Sequence, residues 1–159
     1  PATRPCGEHY SRVNAMRNWR GVVLFGVQVL CIAYILLTGF WLASPAWVWL
    51  EILGVALGVW AVATMKPRHL SPFPEPSRDT RLVTRGPYRW IRHPMYLAVL
   101  AVTLALVIDR LKLAHWIVWF VLLGDLLLKL QHEEALLTRR FPEYAGYRQR
   151  TKRLIPFVY

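Results

Sequence analysis

Arg85-Gly86-Pro87-Tyr88-Arg89-Trp90-Ile91-Arg92-His93-Pro94-Met95-Tyr96 stands between two hydrophobic halves of the chain and runs straight into an apolar segment that begins at Pro94. Proline suits the first position of a helix, because the N–H it lacks would be unpaired there and its fixed φ matches the helical value. Pro94 therefore reads as a helix start, with Arg92 and His93 at its mouth.

Both sides of this stretch are too apolar for a soluble domain. Of 159 residues, 55% are hydrophobic and only 18% charged, which points to a single membrane-embedded unit. The formal net charge of +11 would suit nucleic acid, but the basic residues are grouped beside hydrophobic spans and form no continuous basic face. Anionic lipid phosphates are the better counter-charge, and no nucleic-acid partner is expected. Cys6 and Cys31 are isolated from each other, so neither a disulfide framework nor a metal site is expected.

Upstream, Gly21 to Ala43 is a run of 23 residues without a charge. Signal-peptide cores are about 7 to 15 residues long and a bilayer span needs about 20, so this is a span. After Ser44-Pro45, the 20 residues from Ala46 to Met65 contain Glu51 as their one ionisable group and read as a second span. Lys66 to His93 is a polar surface loop: Pro67, Pro72, Pro74 and Pro76 break any helix, and seven basic residues face two acidic ones.

Downstream, Pro94 to Ile108 offers 15 apolar residues. At about 1.5 Å each they rise about 22 Å, short of a hydrocarbon core of about 30 Å, so the helix must borrow residues or stop short. Asp109 to Lys112 is a charged turn, and Leu113 to Leu130 is a fourth apolar segment holding His115, Asp125 and Lys129. The expected fold is all-α, with about four transmembrane helices. Residues 1–65 would give two spans, 66–93 a cytoplasmic loop, and 94–159 a helical hairpin and tail that close a pocket.

The N-terminus, the loop and the tail carry 4, 7 and 6 basic residues, against Arg110 and Lys112 in the opposite turns. The positive-inside rule then puts both termini and the loop in the cytoplasm. Gly54 and Gly58 fit a small-xxx-small packing face, which serves packing within the chain as readily as dimerisation.

Asp125, Lys129 and Glu133 recur every four residues and so share one helix face. A ladder of ion pairs is the plainer account of Asp125 and Lys129. Glu133 and Glu134 fall where the helix leaves the membrane, level with His93 and Tyr96. They suit a cation or ribose hydroxyls, or a solvated helix end. Taken singly, Arg85, Arg89 and Arg92 read as snorkelling anchors, Tyr88, Trp90 and Tyr96 as interfacial aromatics, and His93 as a cap. Together, a proline-started helix with His and Tyr at its mouth and a Glu pair returning to that level outline a pocket at the interface.

Arg92-His93-Pro94-Met95-Tyr96, then Glu133-Glu134, then Phe141-Pro142-Glu143-Tyr144-Ala145-Gly146-Tyr147 resembles the C-terminal signature of the isoprenylcysteine carboxyl methyltransferases, whose core is shared by integral-membrane phospholipid methyltransferases. The likeness covers about residues 82 to 157. It implies S-adenosylmethionine as methyl donor, bound by Tyr88, His93, Pro94, Tyr96, Leu97, Glu133, Glu134, Tyr144 and Tyr147. It also implies a lipophilic acceptor entering from the bilayer, with Arg150 and Arg153 orienting it. The sequence departs from the pattern in two places: Ala98 stands at a small position often filled by glycine, and Arg150-Thr151-Lys152 replaces a frequent Arg-Val-Pro.

If the acceptor is an anion, its charge and that of the sulfonium cancel in the transition state, which a dry pocket favours. Holding the acceptor about 3 to 3.5 Å from the methyl carbon then needs no enzyme nucleophile. Two other readings stand beside this one. Membrane sterol reductases resemble the same C-terminal half and use NADPH, though they carry many more spans before the motif than the two expected here. A non-enzymatic four-helix scaffold that binds anionic lipid is the other.

Overall fold

A computed structural model describes residues 6–39, 41–65 and 82–156, with side chains from Trp19 onward. Among the described residues five α-helices follow one another: α1 (Cys6–Thr38), α2 (Val48–Thr64), α3 (Pro94–Arg110), α4 (Leu113–Arg140) and α5 (Tyr144–Arg150), with a 3-10 turn at Gly86–Arg89 before α3. Among the described residues the one departure from helix and coil is an isolated parallel bridge between Ile91 and Lys152. Most of the expected loop, residues 66–81, lies outside the described residues, as do the chain ends 1–5 and 157–159.

Among the described residues two helices are long and apolar enough to cross a membrane: Trp19–Thr38 within α1, with mean hydropathy 2.3, and α4, with 1.7. The N-terminal helix begins well before the apolar run, carrying the polar leader into the same rod. The other pair, α2 and α3, has 17 residues each, a rise of about 26 Å. Leu30, Leu37, Leu53, Leu113 and Phe120 point outward on these helices. Exposed apolar surface on this scale suits contact with hydrocarbon.

The start of α3 is as its sequence dictates. Pro94 is its first residue, and the His93 carbonyl accepts the N–H groups of Tyr96 (3.1 Å) and Leu97 (3.2 Å). The His93 side chain caps nothing and is left for other work. At the far end Leu111 adopts φ 49, a left-handed residue that reverses the chain into α4 within two residues.

The hairpin is present in connectivity, but the close packing pairs α2 with α3 and α1 with α4. Gly54 explains the first pairing: a Cβ there would stand 2.8 Å from Val102 Cγ2 and 3.2 Å from Ala101 Cβ, so the missing side chain lets the two backbones approach. The Gly54/Gly58 face is thus used within the chain. Ala98 takes the same logic from the opposite helix, since a Cβ on Gly58 would lie 3.4 Å from its own. Between α1 and α4, a core of Cys31, Leu122, Leu126 and Leu130 joins Leu100 of α3 and Leu154 of the tail. Glu51 is buried in the first turn of α2, where its Oε2 accepts the N–H of Ala43 in the α1–α2 connection at 2.9 Å.

A candidate active site where the motif, the Glu pair and the tail meet

The tail reaches the site as an extended segment paired through one isolated bridge. Arg92 N–H donates to the Lys152 carbonyl (2.8 Å), His93 N–H to the Arg153 carbonyl (3.1 Å), and Lys152 N–H to the Trp90 carbonyl (3.0 Å). These backbone bonds fix Thr151–Arg153 beside Trp90–His93. Leu154 then drops into the core and holds the tail down.

Arg92 is the centre of a clip. Its Nε donates to Glu134 Oε1 at 2.6 Å, and its Nη1 donates to the carbonyls of Arg148 (3.1 Å) and Thr151. Arg153 Nε meets the other carboxylate oxygen of Glu134 at 3.3 Å. Both members of the Arg92–Glu134 pair are buried, at 7% and 5% side-chain exposure. One guanidinium therefore joins α4, the end of α5 and the start of the tail, a use of the planar fork that lysine lacks. Read as a snorkelling anchor in the sequence, Arg92 turns inward instead. The signal that marks it is its place in the Arg-His-Pro-x-Tyr string.

Glu133 has a looser set of partners. The Tyr96 hydroxyl donates to its Oε1 at 2.5 Å, and His93 Nδ1 stands 3.6 Å from its Oε2. The rings of His93 and Tyr96 lie stacked, 5.4 Å apart and 11° from parallel. His93 Nε2 is 3.6 Å from Glu134 Oε1 and is buried without a hydrogen-bond partner.

Three tyrosines frame this cluster. Tyr147 donates to the Tyr88 carbonyl at 2.7 Å, while the hydroxyls of Tyr88 and Tyr144 are buried without partners. Burial, and then the negative charge of Glu133, push the Tyr88 hydroxyl up to about 12. Burial likewise raises Tyr144 and Tyr147 well above an ordinary phenol, helped by Glu134 and by Tyr144 respectively. All three stay protonated donors at physiological pH.

Of the residues expected to bind a cofactor, His93, Tyr96, Glu133, Glu134, Tyr88, Tyr144 and Tyr147 come together. Pro94 is buried as the helix start, and Leu97 packs against the core. Arg153 reaches Glu134, but Arg150 is exposed at the end of α5. The ladder expected on α4 takes another form, for Lys129 donates to Gln28 on α1 at 3.0 Å. A groove of about 470 Å³ opens between α1 and α4, lined by Trp19, Arg20, Val23, Leu24, Leu128, Gln131 and His132. None of the expected cofactor residues lines it. Among the described residues, no group of three or more His, Cys, Asp or Glu side chains converges as a metal site.

Comparison with known proteins bears on the same residues. The sequence profile of the isoprenylcysteine carboxyl methyltransferase (ICMT) family matches residues 47–139, from the second helix through the Glu pair. Two curated relatives resemble the chain over 141 residues. One, 31% identical, is the nickel-cobalt-cadmium resistance protein NccN of Alcaligenes xylosoxydans xylosoxydans. The other, 32% identical, is the cobalt-zinc-cadmium resistance protein CzcN of Cupriavidus metallidurans. Each alignment covers 87% of this chain and 62% of the relative's length.

Proposed function

This chain belongs to the isoprenylcysteine carboxyl methyltransferase family, and from that membership we propose that it is a membrane methyltransferase that uses S-adenosylmethionine to methylate a lipophilic acceptor. The observation that carries the reading is the convergence of His93, Tyr96 and Glu133 with unspent binding capacity. His93 Nε2 and the Tyr88 and Tyr144 hydroxyls are buried without hydrogen-bond partners, and a buried polar group left so calls for an explanation that a ligand can supply.

The donor set fits that cofactor. Glu133 suits ribose hydroxyls or the amino group, the His93–Tyr96 stack suits the flat adenine, and the protonated tyrosines suit acceptor atoms. When bound, S-adenosylmethionine supplies an electrophilic methyl group on a sulfonium. The chain's own part is to hold, align and keep water out. Arg92 and Glu134 fasten the tail against α3 and α4, so that Arg153 stands at the rim where an acceptor carboxylate or phosphate can be clamped. Alignment of this kind contributes most of the acceleration in a direct displacement.

We read the α1–α4 groove as the way in for the acceptor, because apolar Trp19, Val23, Leu24 and Leu128 line it together with polar Arg20, Gln131 and His132. In this reading α2 and α3 complete a four-span bundle, with both termini and the central loop at the cytoplasmic face against anionic lipid. The relatives' names concern resistance to nickel, cobalt, zinc and cadmium. We take any such link in this chain to run through a methylated product.

Methyl-label transfer from labelled S-adenosylmethionine to a panel of lipid and small hydrophobic acceptors tests the activity. The expected result is labelling of at least one lipophilic acceptor by the wild type and none by His93→Ala. Equal labelling by both proteins would show that the site takes no part.

A further inference from the structure

The seam between α1 and α4 holds a charge that neither the clip nor the proposed donor site uses. Lys129 is only 5% exposed. Its ammonium donates to one neutral acceptor, Gln28 Oε1 at 3.0 Å, and lies 5.6 Å from the ring centroids of both Phe25 and Tyr96. Among the described residues its contacts include no carboxylate within ion-pairing distance. Asp125, one turn earlier on the same helix, is equally buried and has an oxygen without a hydrogen-bond partner of its own.

An ammonium has three donors, and a single amide with two ring faces satisfies it only in part. The charge of Asp125 acts on Lys129 only from beyond ion-pairing distance; burying a cation with no carboxylate in contact is costly, and ionisable residues at membrane depth mark places where a partner arrives. Tyr96 identifies the place. The ring beside Lys129 is the one that stacks with His93 and whose hydroxyl donates to Glu133. The ammonium therefore stands at the inner edge of the cluster, one aromatic ring away from Glu133.

We propose that Lys129, oriented by Gln28, is the carboxylate receptor of this site and takes the carboxylate of a ligand lying against Tyr96. The proposal rests on the methyl-donor reading above. A carboxylate can come from two sources, the amino-acid end of the donor or an acidic acceptor, and an ammonium in a low-dielectric seam pairs strongly with either.

Calorimetry with S-adenosylhomocysteine and with its decarboxylated analogue, on wild type, Lys129→Met and Lys129→Arg, separates the sources. Lys129→Met keeps most of the side chain's length and apolar stem and removes its charge. If the donor's carboxylate sits there, Lys129→Met lowers S-adenosylhomocysteine affinity about ten- to a hundredfold. Lys129→Arg then restores much of it, and the decarboxylated analogue binds every variant alike. If the acceptor's carboxylate sits there, S-adenosylhomocysteine affinity is unchanged and KM rises by a similar factor for acidic acceptors alone. Should Lys129→Met not fold, Gln28→Leu gives the same selective loss at smaller size. Equal losses for both nucleosides, or no loss for any ligand, overturn the assignment. A wild type that binds no S-adenosylhomocysteine overturns the methyl-donor reading itself, which Lys129→Met alone cannot do.

Discussion

Glu133 and Glu134 are the same residue twice in succession, and the structure gives them different surroundings. Glu134 is 5% exposed, with Arg92 at 2.6 Å on one oxygen and Arg153 at 3.3 Å on the other. Glu133 is 21% exposed and is held by the Tyr96 hydroxyl, with His93 at 3.6 Å. Consecutive helical residues point about 100° apart, so one step along α4 separates the side facing the tail from the side facing α3. A paired motif therefore combines a buried fastener with a more exposed carboxylate, the one proposed above to meet the ligand.

The largest expected effect comes from breaking the fastener. Glu134→Leu leaves two guanidinium groups without their carboxylate, and removing one member of a buried pair costs about 3 to 5 kcal/mol. Thermal unfolding in detergent should show a large drop, and the tail should become open to protease. Adding Arg92→Met should recover part of the loss. Additive losses in the double variant would mean that the two residues do not act as a pair.

Glu133→Gln should give the opposite profile. With its shape kept and its charge gone, the melting temperature should change little, while S-adenosylhomocysteine affinity falls by about tenfold or more. A large destabilisation with unchanged affinity would exchange the roles of the two glutamates.

The smallest effect concerns the tyrosines. The Tyr88 hydroxyl is raised from 10.0 to about 12 by burial and by Glu133. An acid whose folded value lies above its unfolded value gives stability that is complete below pH 10 and is lost as pH rises toward 12. Melting temperature should hold up to about pH 10 and then decline, with a shallower decline for Tyr88→Phe. An identical slope in that variant would remove Tyr88 as a contributor.

Much of this was legible in the sequence. The apolar runs gave the helices, Pro94 gave the start of α3, and the order of the three motifs gave the residues that meet. Some features were not legible, because they depend on which helices touch. Periodicity places Lys129 on the face of Asp125, but only the approach of α1 shows that Gln28 is its partner. The inward turn of Arg92 depends on the tail pairing with Trp90–His93, a contact between segments some 60 positions apart. The expectation for Arg150 came from the resemblance alone, and packing leaves that side chain exposed. The helix pairing also depends on backbone proximity, which the missing Cβ of Gly54 permits.

The central claim is that the His93–Tyr96–Glu133 cluster holds a methyl donor. Its most direct test is the thermal shift of the purified protein with S-adenosylhomocysteine, set against NADPH. The account predicts stabilisation by S-adenosylhomocysteine that is lost in Glu133→Gln, and none by NADPH. Stabilisation by NADPH instead, or by neither nucleotide, would contradict it.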